Sequence, residues 1–316
     1  MKKVVFTVLM TLLATIAGAQ ESQTEYNFLR LPVSAHAGAL GGDNITIIED
    51  DPSLMFNNPA LLGSVSDKTI NLNFMTYMKG SITASASFNK VLNERAEVAV
   101  MGQFVNYGSM KEMDENNVQK GDFSAKDIAI SGVFSYELTE RLVGGITAKF
   151  ITSYIGDYNS IAMGVDLGLN YYDPEREWSL SAVAKNLGGQ LKAYDDNYEK
   201  MPIDVQVGVS KRLVGSPFRL SATLVDLNHW NYKFINHLVA GVDIILSPQI
   251  YVAAGYNFRR ADEMSIVSEG EEKGSSHWAG MSIGAGIMLD RFKLNLAYAK
   301  YHVSSSSLMV NVSFSL

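Results

Sequence analysis

The chain has 316 residues, of which 47% are hydrophobic and 19% charged, with a formal charge of −7 and no cysteine. The missing cysteines exclude disulfides, thiolate metal sites, a cysteine nucleophile and the lipid-bearing cysteine of a lipoprotein, and the acidic balance argues against general nucleic-acid binding. A mean hydropathy close to zero is too polar for a bundle of membrane helices, each needing about 20 apolar residues, but it leaves room for a membrane barrel, whose strands dilute the apolar signal by alternation.

Residues 1–19 read as a secretory signal peptide. Lys2 and Lys3 precede an apolar run from Val4 to Ile16, and Ala17-Gly18-Ala19 before Gln20 has the small-residue pattern of a cleavage site. Ala17, Ala19 and Gln20 are therefore expected to define the cut, and the run is too short for a membrane span.

Residues 20–68 alternate weakly and concentrate turn formers: Leu31-Pro32-Val33-Ser34-Ala35, Ala39-Leu40-Gly41-Gly42-Asp43, Asp50-Asp51-Pro52-Ser53 and Asn57-Asn58-Pro59-Ala60. Phe28, Leu29, Leu40, Leu54, Met55 and Phe56 give the segment enough apolar content to pack, which favours an N-terminal plug folded back into a lumen over a disordered periplasmic tail.

Residues 69–316 are dominated by period two, the signature of strands whose faces meet different environments. Leu308, Val310, Val312, Phe314 and Leu316 share one face, while Met309, Asn311, Ser313 and Ser315 share the other. Ile161 to Tyr171 and Ile203 to Val209 repeat the pattern, placing Asp166, Gly168, Asn170, Asp204, Gln206 and Gly208 on the second face. Such segments predict about 14 strands, centred near residues 73, 85, 101, 131, 147, 166, 182, 207, 222, 241, 254, 283, 296 and 312, an even number as bacterial single-chain barrels require. The expected fold is an all-β transmembrane antiparallel barrel.

The connections test this. Compact turns at Leu138–Arg141, Asp173–Arg176, Val214–Pro217, Leu246–Pro248 and Asp290–Arg291 alternate with long polar stretches at Gly108–Ser124, Gly188–Met201, Asn228–Lys233 and Arg259–Ser276, as periplasmic turns alternate with external loops. The short first connection at Met78-Lys79-Gly80 is the exception. Aromatic residues such as Tyr136, Tyr171, Trp178 and Trp230 gather near strand ends, where a barrel places its girdles. A soluble sandwich would also alternate, and a propeller would show a repeat of about 40 to 50 residues, which is not found. The chain ends inside a strand with Phe314 and Leu316, similar to the C-terminal signal by which outer-membrane barrels are recognised for assembly.

The stretches Tyr26-Asn27-Phe28-Leu29-Arg30-Leu31-Pro32-Val33-Ser34-Ala35, Ala39-Leu40-Gly41-Gly42 and Asn58-Pro59-Ala60-Leu61-Leu62 resemble the start of the PorQ family, outer-membrane proteins of the type IX secretion system in Bacteroidetes. The motif positions are Phe28, Leu29, Pro32, Ser34, Ala35, Gly41, Gly42, Asn58, Pro59 and Ala60; the Asn-Pro-Ala element is also similar to one in FadL-like barrels. His36 and Gly38 depart from the filling expected there. The resemblance covers residues 26–62 and implies a 14-stranded FadL-like barrel. It also implies a non-enzymatic role, anchoring a PorZ-like surface protein beside PorU-like and PorV-like members of the complex that joins secreted cargo to anionic lipopolysaccharide. External loops would then dock the partner, with Asn106, Tyr107, Asp195, Tyr198, His229, Trp230, Arg259, Arg260 and Trp278 as candidates. The alternative is a FadL-like transporter of long-chain fatty acids or other hydrophobic ligands, with a lateral opening or hatch movement and an apolar lumen pocket.

Chemistry is sparse. His36, His229, His237, His277 and His302 lack zinc-site spacing, and no phosphate-binding glycine loop or serine elbow is present. No cofactor is expected. His229 beside Trp230 and Asp226 is the one place to look for a hydrolase, and Glu49-Asp50-Asp51 is at most a weak calcium turn. Asp166, Lys185, Asp204 and Asp243 are expected to be paired or hydrated inside the barrel.

Overall fold

Every strand rests on the same alternation, but the sign of burial is the reverse of a soluble protein's. The computed structural model describes residues 24–113, 118–264, 277–303 and 305–316; the expected cleavage residues Ala17, Ala19 and Gln20 lie outside them. In the first strand Ile70, Leu72 and Phe74 are exposed while Asn71 and Asn73 are buried. Leu72, Val100 and Ile130 keep 56%, 62% and 57% of their surface, whereas Asn71, Asn295 and Asn311 keep 0%. A sandwich would hide the apolar face; this one presents it, as a lipid-facing wall does.

Fourteen strands close into an antiparallel barrel: β1 (Thr69–Thr76), β2 (Ile82–Asn93), β3 (Ala96–Met113), β4 (Gln119–Thr139), β5 (Leu142–Ile155), β6 (Tyr158–Asp173), β7 (Trp178–Lys192), β8 (Asp204–Arg212), β9 (Phe218–Leu224), β10 (Leu238–Ser247), β11 (Ile250–Asn257), β12 (Met281–Met288), β13 (Phe292–His302) and β14 (Ser305–Ser315). All 14 expected centres fall inside a strand. The seam joins first strand to last, with Leu72 opposite Val312. Inside it a polar ladder crosses the strands: Asn71 Nδ2 donates to Ser313 Oγ at 2.8 Å, Asn73 Nδ2 to Ser85 Oγ at 2.9 Å, and Asn295 Nδ2 to Asn311 Oδ1 at 3.0 Å.

The wall is lopsided. At roughly 3.4 Å per residue, β4 with its 21 residues runs roughly 70 Å, far beyond the 9 to 11 or so residues that span a bilayer, whereas β9 has 7 residues. The stretch 108–124, expected as a loop, is therefore mostly paired strand, with Ser109 opposite Ser124. Asn106 and Tyr107 lie within β3, not in a connection. β7 likewise runs to Lys192, so its external connection starts later than expected. A second short connection, Gly156-Asp157, stands at the long-loop end, so alternation of loop length holds less strictly than the sequence suggests. The long β11–β12 connection opens with helix α2 (Phe258–Glu263) and closes with helix α3 (His277–Gly280).

Residues 24–68 run along the inside of this wall from one end to the other. Thr24 bridges Lys200 in the β7–β8 connection, at the long-loop end, and Thr69 Oγ1 meets Ser315 Oγ at the end of compact turns. Four short turns carry the segment: the 3-10 turn Asn27–Arg30, which has no side-chain cap, and three that each open on a capping side chain. Ser34 caps helix α1 (Ala35–Ala39), Asp51 caps the 3-10 turn Pro52–Phe56, and Asn58 caps the 3-10 turn Pro59–Ser64; the last two place proline where no N–H is required.

Candidate functional site

The inner face gives way wherever the segment crosses it. A Cβ on Gly145 of β5 would lie 2.3 Å from the Pro59 carbonyl carbon, and one on Gly255 of β11 would lie 2.2 Å from the Leu40 carbonyl carbon. Backbone thus packs on backbone, which only glycine allows. Gly41 and Gly42 adopt φ of 104° and 106° between these contacts, a region open to glycine. Asn58 ties the turn to the wall: Oδ1 accepts the Ala60 N–H at 3.0 Å, and Nδ2 donates to Ile45 O, Leu169 O and Ser181 Oγ. Near the other end Phe28 and Leu29 are buried against Val105, Ala129, Ile151 and Ala162.

Between these anchors sits a closed ring of four charges. His36 and Glu49 come from the segment, Arg219 from β9 and Asp243 from β10. His36 Nδ1 lies 2.8 Å from Glu49 Oε2, and its Nε2 lies 2.7 Å from Asp243 Oδ1. Arg219 spans the same two carboxylates, at 2.5 Å to Glu49 and 2.8 Å to Asp243. Two cations alternate with two anions, so the buried set is neutral. Tyr251 stacks on the imidazole at 3.9 Å. Burial disfavours charge on His36, but Glu49 and Asp243 outweigh it and raise its pKa to about 10. Burial likewise opposes ionised Glu49, yet Arg219 and His36 hold it down to about 2. With both ring nitrogens facing carboxylates, the imidazolium is the form that fits. The departure from the family pattern at His36 is thus where the segment is fastened. Gly38, the other departure, lies against Met309.

Where segment and wall meet near Arg30, Lys149, Asp166 and Lys185, they leave a small cavity of about 30 Å³. Toward the long-loop end it gives way to a vestibule of about 400 Å³, lined by Arg30, Lys185, Asp204, Asp226, His229 and Arg259 among others. Asp226 organises it from a left-handed backbone, φ 51°. Its carboxylate pairs with Arg259 and lies 3.2 Å from Arg30 and 3.7 Å from His229. Arg259 also bonds Glu263 at 2.6 Å and lies 4.4 Å over the Tyr232 ring. The described residues lining this cavity include Thr24 but no serine.

The docking candidates scatter. His229 and Arg259 meet in the vestibule, but Arg260 is 6% exposed and spends its guanidinium on the carbonyls of Ala279 and Gly280, at 2.9 and 2.8 Å. It acts as a structural clamp in the β11–β12 connection, and it also lines the vestibule. The Tyr107 hydroxyl donates to Asp127 at 2.6 Å inside the barrel, while Asn106 pairs across the sheet with Lys126. Asp195 accepts the Asn197 N–H in a turn. Tyr198, Trp230 and Trp278 are exposed, and Phe314 and Leu316 point outward. Glu49, Asp50 and Asp51 part ways: Glu49 joins the charge ring, Asp50 pairs with Lys293, and Asp51 accepts from Ser53 and Asn295. Arg219 went unnoticed in the sequence. It sits between the outward Phe218 and Leu220, but its partner Glu49 is 170 positions away, beyond any local signal.

No protein-family model matches the chain, and no curated protein matches it. Solved structures do. The CymD monoaromatic hydrocarbon channel superposes with a TM-score of 0.58 at 13% identity, over 90% of this chain and 96% of that one. The Pseudomonas putida toluene transporter TodX gives 0.57 at 13%, over 90% and 97%, and a Pseudomonas aeruginosa FadL homologue gives 0.55 at 11%, over 90% and 99%. The chain has the fold of the FadL-like outer-membrane barrels. At these identities the likeness is one of fold.

Proposed function

We propose that the protein is a non-enzymatic barrel of the type IX secretion system, holding a PorZ-like surface protein at the outer membrane beside PorU-like and PorV-like partners. The observation that supports this reading is the N-terminal segment held against the inner wall by the Asn58 contacts and by the buried ring of His36, Glu49, Arg219 and Asp243, which we read as a plug. A wall so occupied supports work at its rim, where β3 and β4 project above the bilayer and end in exposed Lys111, Glu112 and Lys120. The resemblance over residues 26–62 supplies the system and the partners.

A second reading, passage of a hydrophobic ligand, is favoured by two observations. The solved neighbours include a toluene transporter and a monoaromatic hydrocarbon channel. The wall is also irregular at Asp166, where Lys185 and Asn186 of β7 together oppose one residue of β6 and the Asn186 N–H turns to the Asp166 carboxylate at 2.7 Å. The deciding experiment is a mild-detergent pull-down of the tagged protein from its native outer membrane, identifying both proteins and lipids. Stoichiometric recovery of a large surface protein with sortase-complex members supports anchoring. Recovery alone, with tightly held fatty acids or other apolar ligands, overturns it in favour of passage.

A further inference from the structure

Two neighbouring polar side chains at the end of compact turns lack a partner. Glu97 of β3 and Ser135 of β4 stand directly opposite one another on the inner face, yet Glu97 Oε2 and Ser135 Oγ are both buried without a hydrogen bond. Ser135 is 1% exposed and Glu97 is half-buried. Both line a cavity of about 230 Å³ between these strands and the 3-10 turn Pro59–Ser64, at the end that faces the periplasm in barrels of this kind. An ionised carboxylate can only accept, so a buried oxygen of that kind left without a donor is costly. The charge of the lining is unbalanced in the same sense. Glu94, Glu137 and Glu140 join Glu97 around the cavity, against Arg95 and Arg141, and Arg141 already pairs with Asp173 at 3.2 Å and Glu175 at 3.4 Å. Among the described residues no cluster of carboxylates or histidines is arranged to hold a metal ion, which turns the site toward an organic donor.

We propose that this cavity receives a guanidinium or ammonium group carried on an alkyl stem, with Glu97 as its counter-charge and Ser135 as a second acceptor. Such a head has donors and no acceptor, and its charge-assisted bonds to a carboxylate are stronger than those of a neutral donor. The stem also has a place to lie. Ile48, Ala60, Leu61 and Val143 give the cavity an apolar side, which suits the way long basic side chains bury their stems and keep the head among polar groups. An anion would face four carboxylates, and a neutral ligand would leave their excess charge unmet. Two sources share the fitting chemistry: an arginine or lysine side chain of a periplasmic protein, and a free diamine or polyamine. The site lies at the opposite end of the barrel from the external loops, so it goes beyond the docking reading and does not depend on it.

The test uses the whole protein in non-ionic detergent at low ionic strength and about pH 8, where carboxylates are ionised and little screened. It is titrated calorimetrically with a short blocked Gly-Arg-Gly peptide, the matching peptide with uncharged citrulline in place of arginine, agmatine and calcium chloride. The arginine peptide, agmatine or both are expected to bind at least about tenfold more tightly than the citrulline peptide. Glu97→Gln is expected to remove about that factor and Ser135→Ala about threefold, while Glu112→Gln, on the external hairpin, leaves binding unchanged. Tighter binding of the arginine peptide than of agmatine assigns the source to a protein, and agmatine binding at least as tightly assigns it to a free amine; either result supports the pocket. Charged ligands binding no better than the citrulline peptide, no binding of any, affinity untouched by both Glu97→Gln and Ser135→Ala, or displacement of the arginine peptide by calcium overturns it. Heat-modifiable migration on a gel checks that each variant is folded. Should Glu97→Gln fail that check, Ser135→Ala and the peptide pair still decide.

Discussion

Replacing Asp243 by Asn removes one charge from the ring that fastens the N-terminal segment and leaves its shape. In the parent, two cations and two anions alternate at 2.5 to 2.8 Å around His36, Glu49, Arg219 and Asp243. Without the Asp243 charge, Glu49 faces both cations, and one buried positive charge is uncompensated. Breaking a buried set this way costs about 3–5 kcal/mol, which multiplies the population of segment released from the wall by roughly 150 to 5,000. The absence of native cysteines makes the assay clean. A single Ser53→Cys probe, at a fully buried position of the segment, is labelled by a thiol reagent only when the segment opens, so its rate follows the open population. The variant should label at least about a hundredfold faster than the parent. Substituting all four members by apolar residues of similar volume should return the rate toward the parent's, because a dry, neutral contact replaces a matched one. A labelling rate within about twofold of the parent's, the range of an ordinary surface substitution, would show that the ring does not hold the segment.

The same ring sets a pH window. His36 has its pKa raised from 6.5 to about 10, so its contribution is full below pH 6.5 and is lost as pH rises through about 10. Glu49, lowered from 4.5 to about 2, contributes fully above pH 4.5 and loses that as pH falls through about 2. The temperature at which the gel shift is lost should therefore plateau between pH 4.5 and 6.5 and decline on both sides; a flat profile up to pH 10 refutes the assignment of His36. Asn58→Ala removes a helix cap and three donations to wall and segment and should cost about 1–3 kcal/mol, read as faster labelling of the Ser53→Cys probe; Asn27→Ala, on an exposed residue, should leave the rate unchanged. On the outer face, Val100→Arg should destabilise the barrel in vesicles by about 2–4 kcal/mol, whereas Lys111→Glu on the projecting hairpin should be neutral. Equal effects would mean that the outer face does not meet lipid.

The barrel was legible because its alternation survives in every strand that crosses the bilayer. Ile161 to Tyr171 puts Met163, Val165 and Leu167 outward and Asp166, Gly168 and Asn170 inward, and nothing beyond the sequence is needed to see it. Where the wall leaves the membrane the contrast disappears. Lys111, Glu112 and Met113 are exposed together, on both faces, so the β3–β4 extension reads as a polar loop although its pairing continues. Lumen charges were visible as inner-face positions, but their partners were not. Arg219 and Asp243 join residues of a segment that the chain places far away in sequence, and no period encodes a contact of that kind. Lys185 was expected to be paired or hydrated, and it lines the vestibule without an ion pair among the described residues.

One long-range contact did leave a trace in the sequence. A glycine inside a strand weakens it, so each needs a reason. Those on the inner face have one: a Cβ on Gly168 would lie 2.1 Å from Asn58 Oδ1, one on Gly208 2.8 Å from Thr46 Cγ2, and one on Gly241 2.8 Å from Leu40 Cδ2. Gly102 and Gly132, on the outer face, have nothing within 4 Å of that position. Gly145, Gly168, Gly208, Gly241 and Gly255 therefore trace the path of the segment along the wall, whereas inward Gly286 meets Tyr251 and Asn295 of the wall itself. In a hollow channel the inner glycines would border open space, and their positions would be free to carry side chains. Here they are spent on close approach, which makes the fit between segment and wall a property of the whole sequence. Any opening of this lumen must first break those contacts and the charge ring between them.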